Sequence, residues 1–331
     1  MTLRPLACRR AWLLLGLSLA LPGCFFLPGA PSHPARSGAV DLYLRGQLEA
    51  ERGQLDEAVA SLSQALDKNP TLSLALEARG DIYKQKGDYE KAAADFHRVT
   101  TLEPHNFNAT YQLGLMYQYL KRFTEAVATY QKAVEIKPLD RDANMNLAMV
   151  YTQMGQPLRG LPYAQRAVEG GADATAQANL GILYYTAGYN DLAIAALKKS
   201  VELNSRQPEV YANLGQLYIQ AGQFEQARNT LEAARDLAPS ATVSERLGLA
   251  YYKLKDYIRS RAAFADSLRQ DPQNIAALNG IGVVCMTESL AATPADIDAA
   301  REALAYWDKS LKIKSDQPAI RQLVNKYTGN Q

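Results

Sequence analysis

The chain has 331 residues, 47% of them hydrophobic and 21% charged, which are the proportions of a folded protein. Thirty-six Lys and Arg against 34 Asp and Glu give a formal charge of +2, and the three cysteines (Cys8, Cys24, Cys285) form no CxxC pair. These figures argue against the basic face that bulk nucleic-acid binding needs, and they give no support to a zinc site or a disulfide framework.

In chain order, Arg4, Arg9 and Arg10 come first and lead into an apolar run, AWLLLGLSLA at residues 11–20. A basic segment followed by a short apolar one is the pattern of a secretory signal, and the run falls short of the about 20 residues a membrane span needs. Pro22-Gly23 then breaks it. LPGC, residues 21–24, resembles a bacterial lipobox, although Pro22 is not the usual residue at its position. The resemblance implies a signal peptide over residues 1–23 and a lipidated Cys24 as the first residue of the mature chain. Losing the leader removes three arginines and takes the formal balance from +2 to −1. One acyl chain holds a protein only marginally, whereas two or three anchor it without a transmembrane helix. Phe25, not Asp, follows the cysteine, which resembles outer-membrane sorting in a two-membrane organism, with the protein on the periplasmic face. The alternative is a retained signal anchor in the inner membrane, because residues 11–30 carry no charge. Residues 24–38 read as a flexible, Pro-rich tether. Fifteen residues in polyproline II geometry would reach roughly 45 Å.

From residue 40 the chain repeats. Gly46, Gly80, Gly114, Ala148, Gly181, Gly215, Gly248 and Gly282 stand 33 or 34 residues apart. Other columns keep the phase. Tyr83, Tyr117, Tyr151, Tyr184, Tyr218 and Tyr251 follow the glycine slot by three residues; Ala58, Ala92, Ala126, Gly160, Ala193, Ala227 and Ser260 follow it by twelve. Pro70, Pro104, Pro138, Pro239 and Pro272 close the units. Leu113, Gly114 and Tyr117 fall on one side of a helix, and small residues at the glycine and alanine slots let two antiparallel helices cross closely. A period in this range marks a repeat architecture. The pattern resembles the tetratricopeptide repeat. It implies an all-α fold, a right-handed α-solenoid of about eight stacked helix-turn-helix units at 39–72, 73–106, 107–140, 141–173, 174–207, 208–240, 241–274 and 275–317. Residues 318–331 read as a capping helix, with Ile320, Leu323, Val324 and Tyr327 on one face.

Two units depart from the pattern. Repeat four has Ala148 for Gly, then Pro157, Gly160 and Pro162 at the start of its second helix and Gly170-Gly171 at its end. A proline inside a helix is expected to kink or shorten it. Repeat eight carries about nine extra residues, in MTESLAATPADIDAA, expected as a longer loop. Cys285 falls on the tyrosine column and is expected to be a buried apolar residue.

No catalytic constellation is present. His33, His97 and His105 stand apart from any HExxH, Cys-His or GxSxG pattern, and no phosphate-binding glycine loop occurs. The expectation is a non-enzyme without cofactor, metal, nucleic acid or small-molecule substrate, whose partner is a protein or peptide.

The resemblance implies that the first helix of each unit lines a concave groove. With the glycine slot as position eight, position six reads Gln112, Asn146, Asn179 and Asn213. Each amide offers a donor and an acceptor, so the row could hold an extended chain through its peptide bonds. Tyr111, Leu115, Met145, Met149 and Ile182, with Tyr119 and Tyr185 nearby, make an apolar floor suited to varied partners or an amphipathic helix. The carboxylate clamp of the family is not matched: Tyr43, Gln47 and Ala78 occupy its slots. The pattern resembles that of lipid-anchored repeat scaffolds that assemble pili or secretion pores or serve envelope hydrolases. A permanent subunit of an envelope machine and a regulatory partner of an enzyme are the alternatives.

Overall fold

The computed structural model describes residues 34–169, 171, 173–293 and 296–329. Cys24, the leader and most of the expected tether lie outside them. Seventeen α-helices follow one another among the described residues, with no strand. The first, α1 (Pro34–Glu51), and α2 (Leu55–Lys68) form one antiparallel pair. The next pairs are α3 (Ser73–Lys86) with α4 (Tyr89–Leu102), and α5 (Phe107–Tyr119) with α6 (Phe123–Ile136). Then come α7 (Arg141–Gln153) with α8 (Pro157–Glu169), and α9 (Ala174–Thr186) with α10 (Asn190–Leu203). The series continues with α11 (Pro208–Gln220) and α12 (Phe224–Leu237), and with α13 (Ala241–Lys253) and α14 (Tyr257–Gln270). It closes with α15 (Ile275–Ala291), α16 (Ile297–Ile313) and a single helix α17 (Pro318–Thr328). Helix α1 begins at Pro34, so the last five residues of the expected tether are helical. Proline has no N–H to lose in a first turn, and its fixed φ suits that position.

Each pair is punctuated by local chemistry. Asn106, Asp140, Asp173, Ser240 and Asn274 cap first helices, their side-chain oxygens accepting from the N–H of Ala109, Ala143, Ala176, Val243 and Ala277. The turn into the second helix needs one left-handed residue. Gly53, Gly87, Gly155, Gly188 and Gly222 supply it, and Lys121 and Lys255 take the same slot at φ 57 and 64.

The glycine column marks where the two helices of a unit touch. A Cβ at Gly114 would lie 2.8 Å from the Tyr130 ring, at Gly181 2.7 Å from Leu197, and at Gly215 2.5 Å from Leu231. Leu62, Phe96, Tyr130, Leu197, Leu231 and Phe264, sixteen residues after the slot, fill the space that the missing side chain leaves.

Repeat four solves the crossing another way. Ala148 is in the glycine slot, and the residue sixteen on is Ala164, fully buried. Gly160 then approaches the backbone: a Cβ there would lie 2.7 Å from the Ala148 carbonyl oxygen. Large and small residues have changed places, and the helices still pack.

Helix α8 continues through Pro162 and ends at Glu169; at 13 residues it is one shorter than α10 and α12. One expectation needs correction. The inserted residues of repeat eight do not form a long loop. They lengthen α15 and α16 to 17 residues each, against 13 in α13 and 14 in α14. MTESLA continues the helix, and Asp296 starts the next by accepting from the N–H groups of Asp298 and Ala299. Helix α17 buries Ile320 against α15 and α16, and Tyr327 stacks on Trp307 at 6.3 Å.

Candidate functional site

The first helices of neighbouring units touch directly, α1 on α3, α5 on α7, α7 on α9, α11 on α13 and α13 on α15, whereas second helices are spaced apart. A tighter inner layer and a looser outer one bend the stack, and the first helices line its concave side.

Sequence places eleven groove candidates there, and the structure sorts them into three groups. Some are already paired. Asn146 Nδ2 donates to the Tyr111 hydroxyl at 2.9 Å, and Lys84 Nζ donates to Gln112 Oε1 at 3.0 Å. Burial pushes the Tyr111 phenol above its ordinary range. Leu115 lies half-buried against the core of repeats two and three. Tyr119, exposed, stacks on Tyr89 at 4.7 Å. Tyr185, also exposed, accepts from Gln220 Nε2 at 3.0 Å.

A second group meets in one place. Met145, Met149, Asn179 and Ile182 line a pocket of about 280 Å³ between α7 and α9. Met145 is buried and forms its back, while Met149 and Ile182 are 41% and 42% exposed at its mouth. Ala148, Thr152, Gln153 and Leu183 complete it. Sequence reasoning passed over Thr152 and Gln153, although positions twelve and thirteen of repeat four are groove slots. Asn213 forms the third group alone, half-buried on α11. Among the described residues neither Asn179 nor Asn213 makes a side-chain hydrogen bond, so their amides are free to pair with an incoming peptide.

The supposed row of four amides is therefore two committed rungs followed by two free ones. Neighbouring polar pairs follow the same logic across units: Gln118 Nε2 donates to Gln153 Oε1 at 3.3 Å, and the Tyr252 and Thr287 hydroxyls lie 3.4 Å apart. Tyr43 and Gln47 bond each other at 2.6 Å. Cys285 is fully buried, and burial pushes its thiol up to about 11, which keeps it unreactive. No cluster of three or more His, Cys, Asp or Glu side chains that could hold a metal occurs among the described residues.

A stack of helix pairs bent around a groove of first-helix side chains defines an α-solenoid scaffold. The tetratricopeptide-repeat model matches residues 77–141, 145–208 and 213–275, more than half of the chain, and related repeat models match 42–71 and 196–229. The chain belongs to the tetratricopeptide-repeat family. The C-terminal part of a repeat-containing protein from Cytophaga hutchinsonii superposes with a TM-score of 0.62 at 16% identity, over 72% of this chain and 99% of that one. PilF of Pseudomonas aeruginosa gives 0.54 at 20% identity, over 66% and 97%. A repeat protein of Parabacteroides merdae gives 0.54 at 16% identity, over 75% and 99%. These likenesses show the fold. No curated protein matches the chain.

Proposed function

We propose that the protein is a scaffold that holds a partner's extended or helical segment in the groove of repeats four to six. The family's fold is a protein-interaction scaffold and generally not a catalytic one. The single observation that carries the reading is the apolar pocket of Met145, Met149 and Ile182 with the unpaired amide of Asn179 in its lining, and a second unpaired amide, Asn213, one unit further on. An apolar anchor would enter the pocket, and the amides would pair with backbone on either side of it. Methionine's flexible side chain lets such a pocket accept more than one anchor shape.

We also infer that a lipidated Cys24 holds the scaffold at the bacterial envelope, supported by the basic-apolar leader and LPGC. No helix among the described residues is long and apolar enough to cross a membrane. Radiolabelled palmitate should enter the wild type and not Cys24→Ala; label in neither would sink the anchor.

The groove is tested by in-cell photocrosslinking from position 179, with position 199 on α10 as control. One dominant product from 179 alone supports a dedicated client. The same products from both positions would move the binding surface elsewhere.

A further inference from the structure

A second, larger crevice lies on the outer side of repeats two and three, away from the groove. It measures about 630 Å³ and is bounded by α4, the turn at 104–105, α5 and α6. A departure from the repeat pattern opens it. Twenty residues after the glycine slot the chain places Leu66, Val134, Val168, Val201 and Leu268, all packed in core clusters. Repeat two has Thr100 there, lining the crevice. At the junction of repeats six and seven the same slot holds Arg235, and the equivalent crevice measures only about 140 Å³.

The walls are polar in a particular way. The Thr100 and Thr101 hydroxyls each donate to the His97 carbonyl at 2.9 Å, and the Thr110 hydroxyl donates to the Asn106 carbonyl at 2.8 Å. Their protons are committed, so these three oxygens can only accept from a ligand. Donors stand among them. Thr129 is 8% exposed, and its hydroxyl has no hydrogen-bond partner among the described residues. Lys132, also without an ion pair among the described residues, lines the same crevice. Glu125 is held by Arg122 at 2.5 Å, whereas Glu135 is not paired among the described residues. Unpaired Lys132 and Glu135 offset each other's charge, and the imidazoles of His97 and His105, which also line the crevice, can each donate and accept. Leu113 and Ile136 give it an apolar floor.

A hydroxyl group both donates and accepts, which is what alternating acceptor-only oxygens and free donors require. We propose that this crevice binds a neutral, hydroxyl-rich ligand of mono- or disaccharide size, its C–H face on Leu113 and Ile136 and one hydroxyl on Thr129. The site is a ligand site and implies no turnover.

The test is saturation-transfer difference NMR on the full-length protein in a sugar-free detergent, with N-acetylglucosamine and maltose as probes and phosphate and spermidine as charged controls. Saturation of a sugar is expected. It should weaken about five-fold in Thr129→Val, the loss of one neutral hydrogen bond. It should vanish in Thr100→Leu, which places in repeat two the residue that repeats one and seven carry at that slot. Helical circular dichroism equal to wild type establishes that both variants are folded. Three results overturn the proposal: no saturation of either sugar, sugar saturation unchanged by Thr100→Leu, or phosphate or spermidine bound in a way that Thr100→Leu abolishes.

Discussion

Repeats four and six reach the same helix crossing from opposite directions. Repeat six removes a side chain at Gly215 and fills the gap with Leu231, which is fully buried. Repeat four keeps a methyl at Ala148, reduces the opposing residue to Ala164 and strips Gly160 so that backbone can meet backbone. Interior packing tolerates such exchanges when the summed volume is kept, and penalises single members of the exchange. The difference also reaches the groove, because Ala148 lines the pocket of Met149 and Ile182. The residue that breaks the glycine column is part of the proposed binding surface.

The largest test of this contrast is Leu231→Ala. It should cost about 2–5 kcal/mol in urea unfolding, the range for a buried leucine replaced by a cavity. Gly215→Ala and Gly160→Ala come next, at about 1–3 kcal/mol each for overpacking. Their backgrounds separate them. With Leu231→Ala present, Gly215→Ala should turn neutral or gain up to about 1 kcal/mol, since it rebuilds the pair of repeat four and alanine favours helix over glycine. A cost for Gly215→Ala that persists in that background would break the exchange argument. Gly160→Ala has no side chain to yield, so its cost should survive any change at position 164.

Smaller effects test the turns and the rungs. Lys121→Gly and Lys255→Gly should each gain up to about 1 kcal/mol, because both lysines hold a left-handed backbone that glycine adopts freely. Tyr111→Phe should cost about 1 kcal/mol or less. It leaves the Asn146 amide without its phenol, and a crosslinker at position 142, exposed on α7, should then gain the product seen from 179. Glu245 gives the smallest signal. Burial raises its folded pKa above the ordinary glutamate range. A raised acid contributes stability that is full below its unfolded pKa and is lost as pH rises through the folded value. Glu245→Gln should flatten that loss of stability as pH rises above the ordinary glutamate range, without lowering stability at neutral pH.

Much of this molecule is written along the chain, and some of it is not. The spacing of Gly46 through Gly282, the capping residues and the tyrosine column locate the helices because each acts within a few residues of itself. The inserted residues of repeat eight were misread because length alone does not distinguish a loop from an extra helical turn on each side. Position six illustrates the limit for the groove. Gln112, Asn146, Asn179 and Asn213 are equivalent by spacing, and only the partners Lys84 and Tyr111, 28 and 35 residues away in sequence, divide them into paired and unpaired amides. Thr100 shows the same limit outside the groove. Its departure from the Leu-Val slot is visible in the sequence, but a departure becomes a crevice only if neighbouring helices do not close over it.

The sequence by itself determined that this is an all-α repeat protein and the period at which its helix pairs recur, because those properties follow from contacts within one 34-residue unit. Tertiary structure alone decided which groove amides remain available, how repeat four compensates its alanine, and where empty space survives. Those properties depend on side chains one unit apart meeting across an interface, and the volume left between two surfaces is fixed only when both are in place.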